Sequence, residues 1–314
     1  MNQETFNKIK TKFQEGYFKK IKPNLDRYEQ KRLSHLKTCK QVVLPILIVI
    51  VAFVFFIQIA NGKQPVEGEH VQLNLGVIFF AIIVYFVIKA SLELTLQCEI
   101  KKEVMPIICS CFDELEWNCE RYENYREFHE IGLVNYYNRE SFDDKFYGNY
   151  NNTNFEIIEA DLDYESGSGK NRHRRNIFKG VILKFYMNNR FKTYTLIRPD
   201  GLFKMPIKNL KRTELEDVVF ENKYDVYTDN EIESRVLITT SFMERLNNIG
   251  SLFEAKKTYV AFYENKLYVG LHTGKDMFKI CSLSEPINSA KYFLKIFEEI
   301  IAIYRLIDYL KLIK

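Results

Sequence analysis

Two stretches of the chain are apolar almost without interruption, and they set the reading of everything around them. From Val42 to Ile57 there is no polar or charged side chain, only Pro45 punctuates the run, and the next charge is Lys63. A second run extends from Leu73 to Ile88, diluted by Asn74, Gly76 and Tyr85 and ended by Lys89. As a helix each is long enough to cross a hydrocarbon core of roughly 30 Å. A core helix of a soluble protein keeps a polar stripe, and the first run has none. The pattern therefore predicts a transmembrane hairpin with spans at about 42–60 and 72–89. Lys89 can reach the headgroups along its own aliphatic stem. The first run starts some forty residues in and lacks a small-residue cleavage site, which argues against a signal peptide.

Before the spans, residues 4–22 alternate lysines with Phe6, Ile9, Phe13, Tyr17 and Phe18, the pattern of an amphipathic helix with a basic face. Such a helix suits either the inner-leaflet surface or a place against the domain that follows. Pro23 interrupts it, and residues 24–40 read as a polar helical stem. After the second span, apolar spacing continues through Leu92, Leu96, Ile100 and Val104, with a kink or restart expected at Pro106. It runs on through Ile108, Phe112, Leu115, Tyr122 and Tyr125, giving a helical connector over 99–141, with Trp117 as a core anchor.

From Phe142 the period changes to that of strands. Phe155–Leu162 alternates; the stretch 165–176 is a loop; Ile177–Met187 is a strong strand. Phe191–Ile197 is expected to pair back on it through a turn at Asn188-Asn189. Tyr224–Tyr227 is a further short strand, and residues 258–271 form a hairpin about Asn265. Thr228 with Glu231 and Ser241 with Glu244 have capping-box spacing, the second helix closing at Gly250. Met277–Cys281 reads as a short strand, and Pro286 opens a long final helix to about Ile313. The fold class that results is α+β: a two-helix transmembrane hairpin, then a cytoplasmic domain at 142–314 with a curved antiparallel sheet and a long C-terminal helix.

Charge orients the hairpin. Residues 1–40 carry eleven Lys or Arg, whereas the loop at 61–72 has only Lys63 against Glu67 and Glu69, and Lys89, Lys101 and Lys102 follow the second span. The positive-inside rule places both termini in the cytoplasm, and the basic N-terminal segment is drawn to anionic lipids. The 25 Phe and 20 Tyr make the remainder a folded domain and not a disordered tail. With a net charge of only +4, nothing calls for a nucleic-acid partner. Cys39, Cys98, Cys109, Cys111, Cys119 and Cys281 all fall on the cytoplasmic side of this topology, where thiols stay reduced. Their spacing does not make a zinc site.

Little in the sequence points to chemistry. Gly169-Lys170 lacks the other parts of a phosphate loop, because Tyr164 stands where a glycine is required and Asn171 where a Ser or Thr is. Lys170, Arg172, Arg174 and Arg175, with His173, form a basic cluster on the Gly/Ser-rich loop. It suits phospholipid headgroups, each basic residue near an anionic surface adding roughly 1 kcal/mol; the alternative is a solvated loop kept out of the sheet by charge. Asp143-Asp144 and Glu214-Leu-Glu216-Asp217 are the carboxylate groups available for acid–base work, with no histidine at ligand spacing. No catalytic, cofactor-binding or metal-ligating set can be assembled.

Several phrases carry a family resemblance. Ser141–Asp144 with Tyr147-Gly148, Ile177–Gly180, the run Glu214–Leu246, the hairpin Val260–Leu271 and Met277-Phe278, in this order, resemble the bacterial family called domain of unknown function 3137. The most specific are Phe178-Lys179-Gly180 and Met243–Leu246. The resemblance implies a two-span protein of the bacterial inner membrane with a cytoplasmic domain behind the spans. It supplies no reaction and no catalytic residue. The short segment between Gly201 and Glu214 and the basic N-terminal helices depart from the family pattern. Some relatives are encoded beside LemA-like membrane proteins, which makes such a protein a partner candidate. Together these readings favour a non-enzymatic binding or scaffolding module for a protein partner or anionic lipid headgroups. The alternative is a membrane-anchored enzyme with a cleft near Asp143, Asp144 and Glu216.

Overall fold

The computed structural model describes residues 2–60, 69–119, 126–201 and 209–310. The chain forms two compact units, one made of Met1–Gly16, Met105–Phe278 and Phe293–Lys314, the other of Tyr17–Val104 and Lys279–Tyr292.

In the second unit, a π turn (Tyr17–Ile21) and a 3-10 turn (Lys22–Asn24) follow the first helix, α1 (Gln3–Gly16). Then come α2 (Leu25–Thr38), a second π turn (Cys39–Val43), α3 (Leu44–Ala60) and α4 (Glu69–Cys109). The two irregular stretches sit at the prolines: Pro23 lies in the 3-10 turn, and the wide turn Cys39–Val43 directly precedes Pro45, whose missing donor and ring bulk regular α-helix does not accommodate. Pro106 does not open a new helix. It sits within the last turn of α4, which ends three residues later. Both α3 and α4 are long and apolar enough to cross a membrane, and none of the most apolar window of either is buried within the protein.

The first unit is built on a nine-stranded, wholly antiparallel sheet. Its elements in chain order are β1 (Leu115–Asn118), α5 (Glu127–Glu130), β2 (Arg139–Tyr150), β3 (Thr153–Ser166), β4 (His173–Tyr186), β5 (Thr195–Pro199) and β6 (Lys211–Thr213). After these come α6 (Val218–Glu221), β7 (Tyr224–Thr228), α7 (Glu231–Leu237), α8 (Thr240–Leu252), β8 (Lys257–Tyr263), β9 (Lys266–His272) and α9 (Lys291–Leu310). The strand order is β1-β2-β3-β4-β9-β8-β5-β7-β6.

Several sequence expectations are corrected here. The connector is not helical throughout, because residues 115–118 are an edge strand whose Leu115 pairs with Gly148. Gly148 permits that pairing: a Cβ there would lie 2.5 Å from the Glu114 carbonyl. The stretch after β4 does not fold back on it. β9 occupies that side of β4, from Gly180↔His272 to Tyr186↔Lys266, and β5 pairs with β7 and β8. The crossing is held by Met187 and Phe191 N–H groups donating to the Asn265 and Glu264 carbonyls at 2.8 and 2.6 Å. The helix caps fall two residues from the expected Thr228 and Ser241, at Asn230 and Thr239. α8 runs past Gly250 to Leu252.

Residues 277–281 are not a strand. Phe278 takes a positive φ of 51°, and two carboxylates hold the turn: Glu159 accepts the Met277 N–H at 2.6 Å and Glu299 the Phe278 N–H at 2.9 Å. The final helix starts at Lys291, beyond Pro286.

Both faces of the sheet are covered. On one, Ile158, Ala160 and Leu162 alternate along β3 and meet Phe178, Ile182, Tyr259 and Tyr268 with Phe128, Leu133, Val134 and Tyr137 of the stretch around α5. On the other, Tyr304 of α9 packs against Phe155 and Tyr150. The basic helix α1 belongs to this unit as well. Phe13 stacks on Phe297 at 4.3 Å between ring centres, Lys12 pairs with Asp113 at 3.1 Å, and Arg305 lies over the Phe6 ring. Of the two placements that its amphipathic pattern allows, the structure takes the one against the folded unit.

Candidate functional site

The basic cluster is the closed end of the β3–β4 hairpin. Ser166 pairs with His173, so the loop shrinks to a tip containing the 3-10 turn Gly169–Asn171. Gly167 is required there: its φ is +82° and a Cβ would lie 2.1 Å from the Asn171 carbonyl. Arg174 donates to Asp163 through Nε at 2.9 Å, and Arg172 pairs with Glu165, which also receives Arg139 at 2.8 Å. Arg175 is exposed, and the side chain of Lys170 lies outside the described residues. Half of the candidate headgroup cluster is thus paired within its own hairpin.

The carboxylates singled out from sequence do not meet. Asp143 is exposed on β2, while Asp144 is buried and accepts the Trp117 indole N–H at 2.7 Å. Asp217 caps α6 by accepting from Val219 and Phe220. Glu216 lies between β6 and α6, beside a cavity of about 440 Å³. β2 and β6 are seven places apart in the strand order. The cleft required by the enzyme reading, gathering Asp143, Asp144 and Glu216, therefore does not form. No group of three metal-ligand side chains converges among the described residues.

A polar clasp that the sequence did not announce lies in the second unit. Arg32 on α2 donates to the Leu283 carbonyl at 2.8 Å and forks onto Glu29 at 2.8 and 2.6 Å, and Glu29 accepts the Ile287 N–H at 2.8 Å. From α4, Glu93 receives Lys279 Nζ at 2.8 Å and the Leu283 N–H at 3.1 Å. The Arg32 guanidinium holds the Glu29 carboxyl below its usual range. Burial pushes Glu93 the other way, but the Lys279 and Leu283 hydrogen bonds outweigh it and leave this carboxyl low as well. Glu29, Arg32 and Glu93 thus tie the segment 279–287 to the helices that flank the apolar runs. In sequence they look like ordinary helix-surface charges, because their partners lie some 190 to 250 residues away.

The first unit carries a second polar feature, a cavity of about 530 Å³ between the end of α8 and the start of β8. Lys223, Lys256 and Lys257 line it, with Asn247, Ser251 and Thr258. None of the three lysines has a carboxylate within ion-pairing reach among the described residues. Glu254, also at the rim, is bound by Lys275. The Asn247 Oδ1 is buried without a hydrogen-bond partner. Lys256 and Lys257 are neighbours in the chain, whereas Lys223 comes from the turn before β7.

Comparison with known proteins gives one family and one distant fold likeness. No curated protein matches. A solved structure, the mycobacterial trehalose monomycolate transport factor A (TtfA), aligns with a TM-score of 0.31 at 11% identity, over 62% of this chain and 88% of that one. That likeness is too slight to extend to the fold or function of this chain. Residues 176–312 match the model of the family described as protein of unknown function DUF3137. From β4 to α9 the chain therefore carries the domain of unknown function 3137, the family its sequence phrases resemble.

Proposed function

We propose that this is an integral protein of the bacterial inner membrane, with two spans and both termini in the cytoplasm, whose sheet unit is a non-enzymatic binding module. The observation that carries the reading is the apolar surface of α3 and α4. Ile48, Val49, Phe53 and Phe56 on one, and Phe79, Phe80, Phe86 and Val87 on the other, are more than half exposed. Exposing apolar surface to water costs about 25 cal/mol per Å², and a bilayer removes that cost. The lysine and arginine excess before α3 supports the orientation.

Two observations favour binding over catalysis. The candidate carboxylates are separated by the sheet, and Asp144, Asp217, Arg172 and Arg174 already serve as partners of local groups. Among the described side chains of the β3–β4 tip, a contact with anionic headgroups would then draw first on exposed Arg175. A LemA-like membrane protein is the first protein partner to test by co-purification. The direct test of the membrane reading is alkaline carbonate washing of membranes from cells expressing the full chain. Retention in the pellet is expected, and release into the wash would contradict it.

A further inference from the structure

We propose that the outward face of α6 and α7, with the cavity between them, docks a basic amphipathic helix of a protein partner. α7 is inside out. Its serine, Ser234, is fully buried, while Ile232 is 78% and Val236 66% exposed. A helix that packs on a core turns its apolar stripe inward, and this one turns it outward. On α6, Phe220 is buried and both Val218 and Val219 are exposed. Contiguous exposed apolar surface of this kind marks an interaction site.

The exposed residues adjoin the walls of the cavity of about 440 Å³. Asp217 and Arg235 line it; Val218 and Val219 follow the first, Val236 follows the second, and Ile232 lies one turn before Arg235 on α7. Leu215, Ile238 and Met243 supply the apolar lining, a socket for one large anchoring side chain of the partner.

Charge and backbone decide the occupant. The stretches 214–221 and 231–243 hold six acids and one base, Arg235, and Glu214, Glu216 and Glu231 are exposed. That surplus disfavours an anionic lipid leaflet and complements a segment carrying lysine or arginine. The helix starts are already capped, because Asp217 accepts the Val219 and Phe220 N–H groups and Asn230 that of Glu233. The face therefore offers apolar side chains for recognition. An extended peptide would lay unpaired backbone groups on them, whereas a helix satisfies its own.

The inference rests on the reading of the sheet unit as a binding module. The test uses the full chain in phosphatidylcholine nanodiscs. The probes are a fluorescent amphipathic helical peptide of leucine and lysine and its leucine–glutamate counterpart. Anisotropy, corrected for empty nanodiscs, should show saturable binding of the lysine peptide and none of the glutamate peptide. Ile232→Ser with Val236→Ser, and separately Glu214→Lys with Glu216→Lys, should each weaken binding about tenfold or more. All four side chains are exposed, so thermal melting should stay unchanged. No saturable binding, equal binding of the glutamate peptide, or equal binding by the folded variants overturns the face.

A second arm places the photoreactive p-benzoylphenylalanine at position 232 or position 175 of the full chain, in cells that make it. The expected adduct at 232 is a basic amphipathic segment of another protein, lost when Glu214→Lys and Glu216→Lys are added. An adduct there with lipid, with a second copy of the chain or with its own residues 202–208 would overturn the partner. Protein adducts at 175 alone would overturn this face and keep the binding-module reading. Protein adducts at neither position would overturn both.

Discussion

His272 Nδ1 accepts the backbone N–H of Lys179 at 2.9 Å, beside the point where β4 and β9 pair through Gly180 and His272 itself. The bond leaves the ring proton on Nε2 and requires a neutral or Nε2-protonated ring with a free Nδ1 lone pair. Burial first, then the charges of Lys257 and Lys256, hold the His272 pKa below its ordinary value. In the unfolded chain the same ring titrates near 6.5. The unfolded state therefore takes up the proton first, so stability is full above that value and falls as pH drops toward the folded pKa. Between pH of about 7.5 and 5.5, the melting temperature of the wild type should fall more than that of His272→Asn, which keeps an acceptor but cannot titrate. Parallel pH profiles would show that His272 is not held neutral.

Gly180 lies at the same seam. Its φ is +152°, and a Cβ would lie 2.1 Å from the Leu271 carbonyl and 3.0 Å from the Thr273 nitrogen. Both obstacles are backbone, so neither can swing aside. Gly180→Val should destabilise the sheet unit by about 2–4 kcal/mol or prevent folding, and Gly180→Ala should do so to a lesser degree. Thermal melting of the purified full chain checks this, and an unchanged transition in the valine variant would refute it.

Glu299 is the carboxylate behind the positive-φ turn at Phe278. Burial raises its pKa, against the opposing Phe278 N–H and Lys295 contacts. Because the folded value is raised, the group favours the folded state at low pH and loses that contribution as pH rises through the folded pKa. Glu299→Gln keeps an acceptor without a charge to desolvate, and should cost little at neutral pH. Glu299→Leu leaves the Phe278 N–H unpartnered and should cost about 1–3 kcal/mol. Equal melting of the two variants would mean that the hydrogen bond does not hold this turn.

How much of this was legible in the sequence depended on how local the cause was. The apolar runs, the hairpin at Glu264-Asn265 and the strand at Tyr224 follow from spacing and turn residues within a few positions. Leu115–Asn118 continues a helical spacing, but pairing with β2, more than twenty-five residues on, makes it a strand. For the same reason the partner of β4 is not the next segment in the chain but β9, some eighty residues on. The basic residues of the β3–β4 tip stand out in sequence, but β3 runs on past Leu162, which brings Asp163 and Glu165 opposite them as counter-ions. The lysine cavity and the clasp at Glu29, Arg32 and Glu93 depend on contacts across the chain that no local pattern encodes.

The clasp has a residue-specific signature. Leu283 N–H is held by Glu93 and Ile287 N–H by Glu29. Amide hydrogen exchange of the full chain should speed up at Leu283 in Glu93→Ala and at Ile287 in Glu29→Ala, each with a smaller change at the other amide. Arg32→Met should speed up both, since it frees the Leu283 carbonyl and leaves Glu29 without its fork. Exchange unaltered at both amides in all three variants would show that the segment 279–287 is held by other contacts.

The central claim is that α3 and α4 are membrane spans with the sheet unit on the cytoplasmic side, and thiol accessibility tests it most directly. One cysteine is placed at Gln64, in the connecting stretch outside the described residues, and another at Ser168, on the exposed β3–β4 tip. Intact inner membranes, reached after any outer membrane is breached, are treated with an impermeant maleimide. The account expects labelling at position 64 and none at position 168 until the inner membrane is permeabilised. Labelling at 168 with protection at 64 would reverse the orientation, and labelling of both before permeabilisation would contradict the spans themselves.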